Sequence, residues 1–148
     1  MGCWGTGPFD SDNAADFAGA VEDCSDKQAR ADLLLATLGA YMEKEFTDKD
    51  FDAAYEFPSA IEEAVASAAF VADSLTLRQE FTNTPYAQGQ MEVRGETVWY
   101  IIPLDTPSPE LLDLAKRAME RVLEQMHSAL VEPEWSDSIV KVLEAFSS

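Results

Sequence analysis

The chain has 148 residues, 47% of them hydrophobic, which is the size of one ordinary domain with enough apolar material for a core. It carries 28 acidic against 10 basic side chains, a formal charge of −18, and that field repels phosphate backbones and anionic membranes while favouring basic partners. The apolar runs Leu33–Ala36 and Ala64–Ala72 are too short to span a bilayer, no Lys or Arg precedes Lys27 as a secretory leader would need, and Cys3 and Cys24 are too few for a disulfide framework.

The expectation is therefore one cytoplasmic domain with reduced thiols, binding neither nucleic acid nor membrane directly. The charge is uneven: residues 1–74 hold 16 acids and 4 bases, residues 75–148 hold 12 and 6.

Residues 1–12, Met-Gly-Cys-Trp-Gly-Thr-Gly-Pro-Phe-Asp-Ser-Asp, combine Gly5, Gly7 and Pro8 with two large anchors, Trp4 and Phe9. That composition predicts a tightly folded loop packed on the rest of the domain rather than a free tail. Met1-Gly2 with Thr6 fits an acylation pattern, but the first charges that follow are Asp10, Asp12 and Asp16. A single acyl chain needs a basic patch beside it to hold a membrane, so the match is accidental.

A first helix is predicted over 13–24, capped by Asp12 or Asn13, with Ala14, Phe17, Ala18 and Val21 as its buried stripe. Ser25 or Asp26 caps a second over 26–42. There Ala29, Leu33, Ala36, Ala40 and Met42 mark an inner side that Leu34, Leu35, Leu38 and Tyr41 widen, which suggests the central helix. Residues 43–57 are acidic with interleaved aromatics and read as a loop or a short helical turn. Pro58 opens a third helix over 59–73, where Ser59-x-x-Glu62 has the form of a capping box. Ile61, Val65, Ala68 and Ala72 line one face, with Ala64, Ser67 and Ala69 permitting close packing.

Residues 91–102 read as a β-hairpin, Met91-Glu92-Val93 and Thr97–Ile102 around Arg94-Gly95-Glu96. Alone it is marginal, so it must pack on the helices or on another chain. Ser108-Pro109-Glu110 starts a fourth helix to residue 130, with Leu111, Leu114, Ala115, Ala118, Val122, Met126 and Ala129 as its stripe. A final helix over 134–146 carries Trp135, Ile139, Val142, Leu143 and Phe146. The fold class is mainly α: a single-domain bundle of five helices with a small hairpin.

The opening M-G-x-W-G-x-G-P-F-D-x-D, followed by Ala14, Ala15, Asp16 and Phe17, resembles a bacterial family known as domain of unknown function 4259. The run from Ile61 to Ala72, the pattern Leu114-Ala115-x-x-Ala118-x-x-x-Val122-Leu123 and the closing Trp135 helix are similar to it as well. Residues 75–103 stand outside that pattern and read as an insertion. Where the family has an acidic Ser-Glu-Leu turn, this chain has Ser128-Ala129-Leu130, so no role of that Glu transfers. The resemblance implies no activity.

No residue pattern nominates a catalytic group. His127 is the lone histidine, at the end of a helix, and no nucleophile elbow, phosphate loop or zinc motif occurs. Asp10-Ser11-Asp12 opens like a calcium loop, but Ala14, Ala15 and Val21 stand where a ligand, a glycine and a glutamate are required. No metal or cofactor is expected.

What remains is a surface for a protein partner. Glu43, Glu45, Asp48, Asp50, Asp52 and Glu56 supply carboxylates, and Phe46, Phe51 and Tyr55 supply anchors. Trp99 and Tyr100 of the hairpin are the competing site. The expectation is a non-catalytic, immunity- or inhibitor-like protein that masks a basic partner such as a toxin. The alternative is an assembly module forming a homo-oligomer, and an enzyme using carboxylates alone ranks last. A surface charge that serves only solubility explains the same composition.

Overall fold

The alanine-rich segment after Pro58 forms the axis of the molecule. In the computed structural model, which describes residues 8–9, 12–46, 58–128 and 133–147, the elements run α1 (Asp12–Asp23), α2 (Lys27–Glu43), α3 (Ser59–Thr76), a 3-10 turn (Pro85–Ala87), β1 (Gly89–Val93), β2 (Glu96–Tyr100), α4 (Pro109–Ser128) and α5 (Pro133–Phe146). Helix α3 packs against α1, α2, α4 and α5. Ile61, Glu62 and every residue from Ala64 to Asp73 are buried. Its alanines and Ser67 let four helices approach on all sides. Ile61, Phe70 and Val71 each contribute about 1.5–3 kcal/mol by leaving water.

The central helix is thus α3 and not α2. The buried residues of α2 are Leu34, Leu38 and Tyr41, one stripe at i, i+4 and i+7. Leu33, Leu35 and Met42 flank it half-buried, while Ala36 and Ala40 are exposed. Alanine tolerates either side of a helix, so it misplaced the inner face. The first helix keeps its expected stripe, with Ala14, Phe17, Ala18 and Val21 all buried.

Helix ends follow local chemistry. The Asp26 carboxylate accepts from the Ala29 amide at 2.8 Å, and Ser108 Oγ accepts from the Leu111 amide at 3.2 Å, so both expected caps form. Asn13, by contrast, lies inside α1, and its side-chain amide donates to Glu62 Oε1 at 2.9 Å. That bond also replaces the expected capping box: α3 starts at Ser59 behind Pro58, without a side-chain cap, because Glu62 faces α1. Arg121 of α4 closes the end of α2 by donating to the carbonyl of Lys44 and to that of Tyr41, which also accepts from the Lys44 amide. Helix α3 outlasts its expected end by a turn and closes on Leu77 in the left-handed region, φ 58°, whose amide donates to Asp73 O at 3.0 Å.

The hairpin pairs antiparallel with Gly89 opposite Tyr100, Gln90 opposite Trp99 and Met91 opposite Val98. Its turn is two residues, Arg94 and Gly95, both with positive φ, and not the expected three. That turn matches the right-handed twist of the strands. The strands accordingly span 89–93 and 96–100, and Ile102, expected in the second strand, leaves it to enter the core at 3% exposed.

Candidate functional site

The ribbon is held at its root and free along its body. Glu22, in the last turn of α1, accepts at one oxygen, Oε2, from the Gln90 amide and from the Tyr100 hydroxyl, both at 2.9 Å. The Glu22 bond is the main cause that raises the Tyr100 phenol above its ordinary value. Gly89 sits against this junction, where a Cβ would run into the Tyr100 ring and the Glu22 carboxylate. Beyond the root, Met91, Val93, Val98 and Trp99 are each 41–49% exposed. By register, Met91, Val93 and Val98 share one face, and Trp99 with Gln90 occupies the other. Tyr100 therefore anchors the hairpin, while Trp99 remains on the surface.

Arg30 ties α1 and α2 to the chain that leaves the ribbon. Its guanidinium donates to the carbonyls of Val21 at 3.1 Å, Cys24 at 3.4 Å and Pro103 at 2.9 Å. The returning segment 104–108 then runs past α2 to the start of α4, and a trough opens beside it. The larger chamber, about 300 Å³, has Leu34, Leu35, Val71, Leu104 and Leu111 as apolar walls and Asp32, Asp105 and Glu110 as acids. The smaller chamber, about 220 Å³, lies between Phe70, Asp73, Thr82 and residues 101–104. Ser74 and Leu104 line both.

Asp73 is 9% exposed, and its carboxylate is used on one side only. Oδ2 accepts from the Phe81 amide at 3.0 Å and from the Thr82 amide and hydroxyl, each at 2.8 Å. Oδ1 is buried without a hydrogen-bond partner. Burial raises the Asp73 carboxyl above its ordinary value, against the lowering effect of the Thr82 and Phe81 bonds. Glu62, three turns earlier on the same face of α3, likewise leaves Oε2 unpartnered. Burial, and then the neighbouring Glu62 charge, raise Glu63, with Lys44 opposing.

The acidic-aromatic surface is described only at its start. Glu43 and Glu45 are exposed at the end of α2. Phe46 packs on the Tyr41 ring at 5.9 Å between centroids, and the Arg121 guanidinium lies over both rings at 4.8 and 5.7 Å, so Phe46 covers the core edge. Asp48, Asp50, Phe51, Asp52, Tyr55 and Glu56 lie outside the described residues, as do Trp4, Gly5, Gly7 and Asp10 and the side chain of Asp12. Of the N-terminal loop, Pro8 is half-buried, and Phe9 is 2% exposed with its ring edge-on to Phe70 at 5.1 Å. The described start of the acidic-aromatic surface and the ribbon lie at opposite ends of α2. The ribbon roots beside the start of α2 and Glu43 ends it, and a helix of 17 residues is about 25 Å long.

Ser67 and Ser74 donate to backbone carbonyls four residues earlier, at 2.8 and 2.7 Å, and Cys24 Sγ lies 3.4 Å from Ala20 O. His127 is exposed in the last turn of α4. Among the described residues no group of three His, Cys, Asp or Glu side chains gathers as a metal site, and no helix is long and apolar enough to cross a membrane.

A mainly α-helical domain, built on a small-residue helix and carrying a two-stranded hairpin, is the class that these features define. The chain belongs to the family described as Domain of unknown function (DUF4259), whose family model matches residues 2–144. No curated protein and no solved structure matches it.

Proposed function

We propose that the protein is a non-catalytic binding protein of the bacterial cytoplasm that engages a basic protein partner, in the manner of an immunity protein or inhibitor. The observation that carries this reading is a protruding ribbon with Met91, Val93, Val98 and Trp99 exposed, on a chain of net charge −18. Clustered exposed apolar side chains mark contact surfaces, and a strong single-sign field selects the partner's sign and speeds encounter. A second reading, assembly into a homo-oligomer, is favoured by the sheet itself: it has two strands and hence two edges.

Affinity capture from the source cytoplasm tests both readings, using the wild type, the triple variant Asp48→Lys, Asp50→Lys, Asp52→Lys, and Trp99→Ala. A basic protein retained by the wild type and lost by the triple variant supports the proposal. Retention of only neutral or acidic proteins refutes it. A change in oligomer size with Trp99→Ala transfers the ribbon to the assembly reading.

A further inference from the structure

Building on the reading of a basic protein partner, we infer that the trough between α2, segment 104–108 and the start of α4 seats a partner segment in which basic and apolar residues alternate. Two independent observations point to that occupant. The larger chamber combines apolar walls with the acids Asp32, Asp105 and Glu110, the complement of a long basic side chain that lays its methylenes on apolar surface and keeps its charge in water. The smaller chamber, continuous with the larger at Ser74 and Leu104, adds what an exposed acidic face does not: Asp73 lines it, nine-tenths buried, with Oδ1 unpartnered. An unsatisfied buried carboxylate oxygen is costly, and a donor brought by a ligand removes that cost.

The carboxylates of the larger chamber differ in how far they are committed. Asp32 accepts from Gln28 at 2.9 Å, and Asp105 sits 3.6 Å from Lys27 in a pair that is more than half exposed on both sides. Glu110 lies exposed in the first turn of α4. Exposed pairs of this kind exchange partners at little cost. Arginine suits the site better than lysine, because its planar fork bonds a carboxylate in two places. A segment with basic residues at every second position would send one into the smaller chamber, beside Asp73, and hold its neighbours at Asp32, Asp105 and Glu110 of the larger one.

The test is a titration of ¹⁵N-labelled full chain with the synthetic peptide acetyl-Leu-Arg-Leu-Arg-Leu-Arg-Leu-amide, with its Glu-for-Arg counterpart and with spermidine. Saturable amide shifts are expected at residues 28–35, 71–74 and 104–111 with the Arg peptide and not with the Glu peptide. The double variant Asp32→Asn, Glu110→Gln should weaken binding about threefold to tenfold. Asp73→Asn keeps an oxygen for the Thr82 and Phe81 bonds and should weaken it about tenfold or more. A merely structural Asp73 would change stability and leave the affinity alone.

Arg-peptide shifts confined to residues 89–100 or 43–46 would overturn the trough and leave the basic-partner reading standing. Equal shifts with spermidine would overturn the peptide as occupant. No saturable binding of the Arg peptide would overturn the inference, while the capture experiment decides the wider reading separately.

Discussion

Replacing Glu22 by Ala should release the ribbon without unfolding the helices. Both bonds that root the hairpin, from the Gln90 amide and the Tyr100 hydroxyl, end on the same Glu22 oxygen at 2.9 Å. Hydrogen bonds to a charged acceptor contribute about 1.5–3 kcal/mol each, and the Gln90 bond is exposed, so the loss is about 2–3 kcal/mol of local stability. At 1.36 kcal/mol per tenfold, that is roughly a 30- to 150-fold fall in protection of the Gln90 amide against hydrogen exchange. Glu22→Gln keeps an acceptor without its charge and should lose less. The amides of α3 should keep their protection, since the ribbon body buries little of the core. Native-state exchange read by NMR resolves both regions. Unchanged protection at Gln90 in Glu22→Ala would refute the latch. Equal losses in α3 and the ribbon would show that the hairpin unfolds only with the whole domain.

Phe9→Ala removes a side chain that is 2% exposed against Phe70, so it should cost roughly 3–5 kcal/mol and lower the melting temperature by roughly 6–20 °C. An unchanged melt would mean that the N-terminal segment adds nothing to the core. Leu77→Gly should raise stability by roughly 0.5–1 kcal/mol in urea unfolding, because Leu77 holds φ 58° while 85% exposed, and relief of that strain outweighs the added freedom of the unfolded glycine. A loss of stability would contradict it. Burial raises Asp73 in the folded state, so the folded form holds its proton more tightly than the unfolded chain. The resulting stability is full below about pH 4 and is lost as pH rises through the folded value. Asp73→Asn lacks that dependence, so melts should show the variant gaining on the wild type from pH 4 to 7. A constant difference would refute the assignment.

Helix boundaries were legible in the sequence because caps are local. Asp26 and Ser108-Pro109 announce their helices within three residues, and the buried stripe of α1 follows one period. The choice of axis was not legible, because alanines 36 and 40 resemble alanines 64 and 68 until the packing of other helices decides which side is covered. The hairpin was visible in Gly95 and the alternating apolar residues, but its two-residue turn depended on Arg94 taking a positive φ, which arginine does not advertise. Asp73 carried one signal: it lies eleven residues, three helical turns, after Glu62 in a run that is mostly alanine and valine, and so on the same buried face. The trough joins residues 28–35 to 104–111, a meeting that tertiary packing alone creates.

The most direct test of electrostatic partner recognition is the association rate constant of the captured partner as salt rises from about 20 mM to 500 mM, where screening shortens from more than 20 Å to about 4 Å. If the net charge of −18 steers a basic protein, the rate should fall by about tenfold or more while dissociation changes far less. A rate that stays flat across that range would contradict charge-led recognition and leave the apolar ribbon as the determinant of binding.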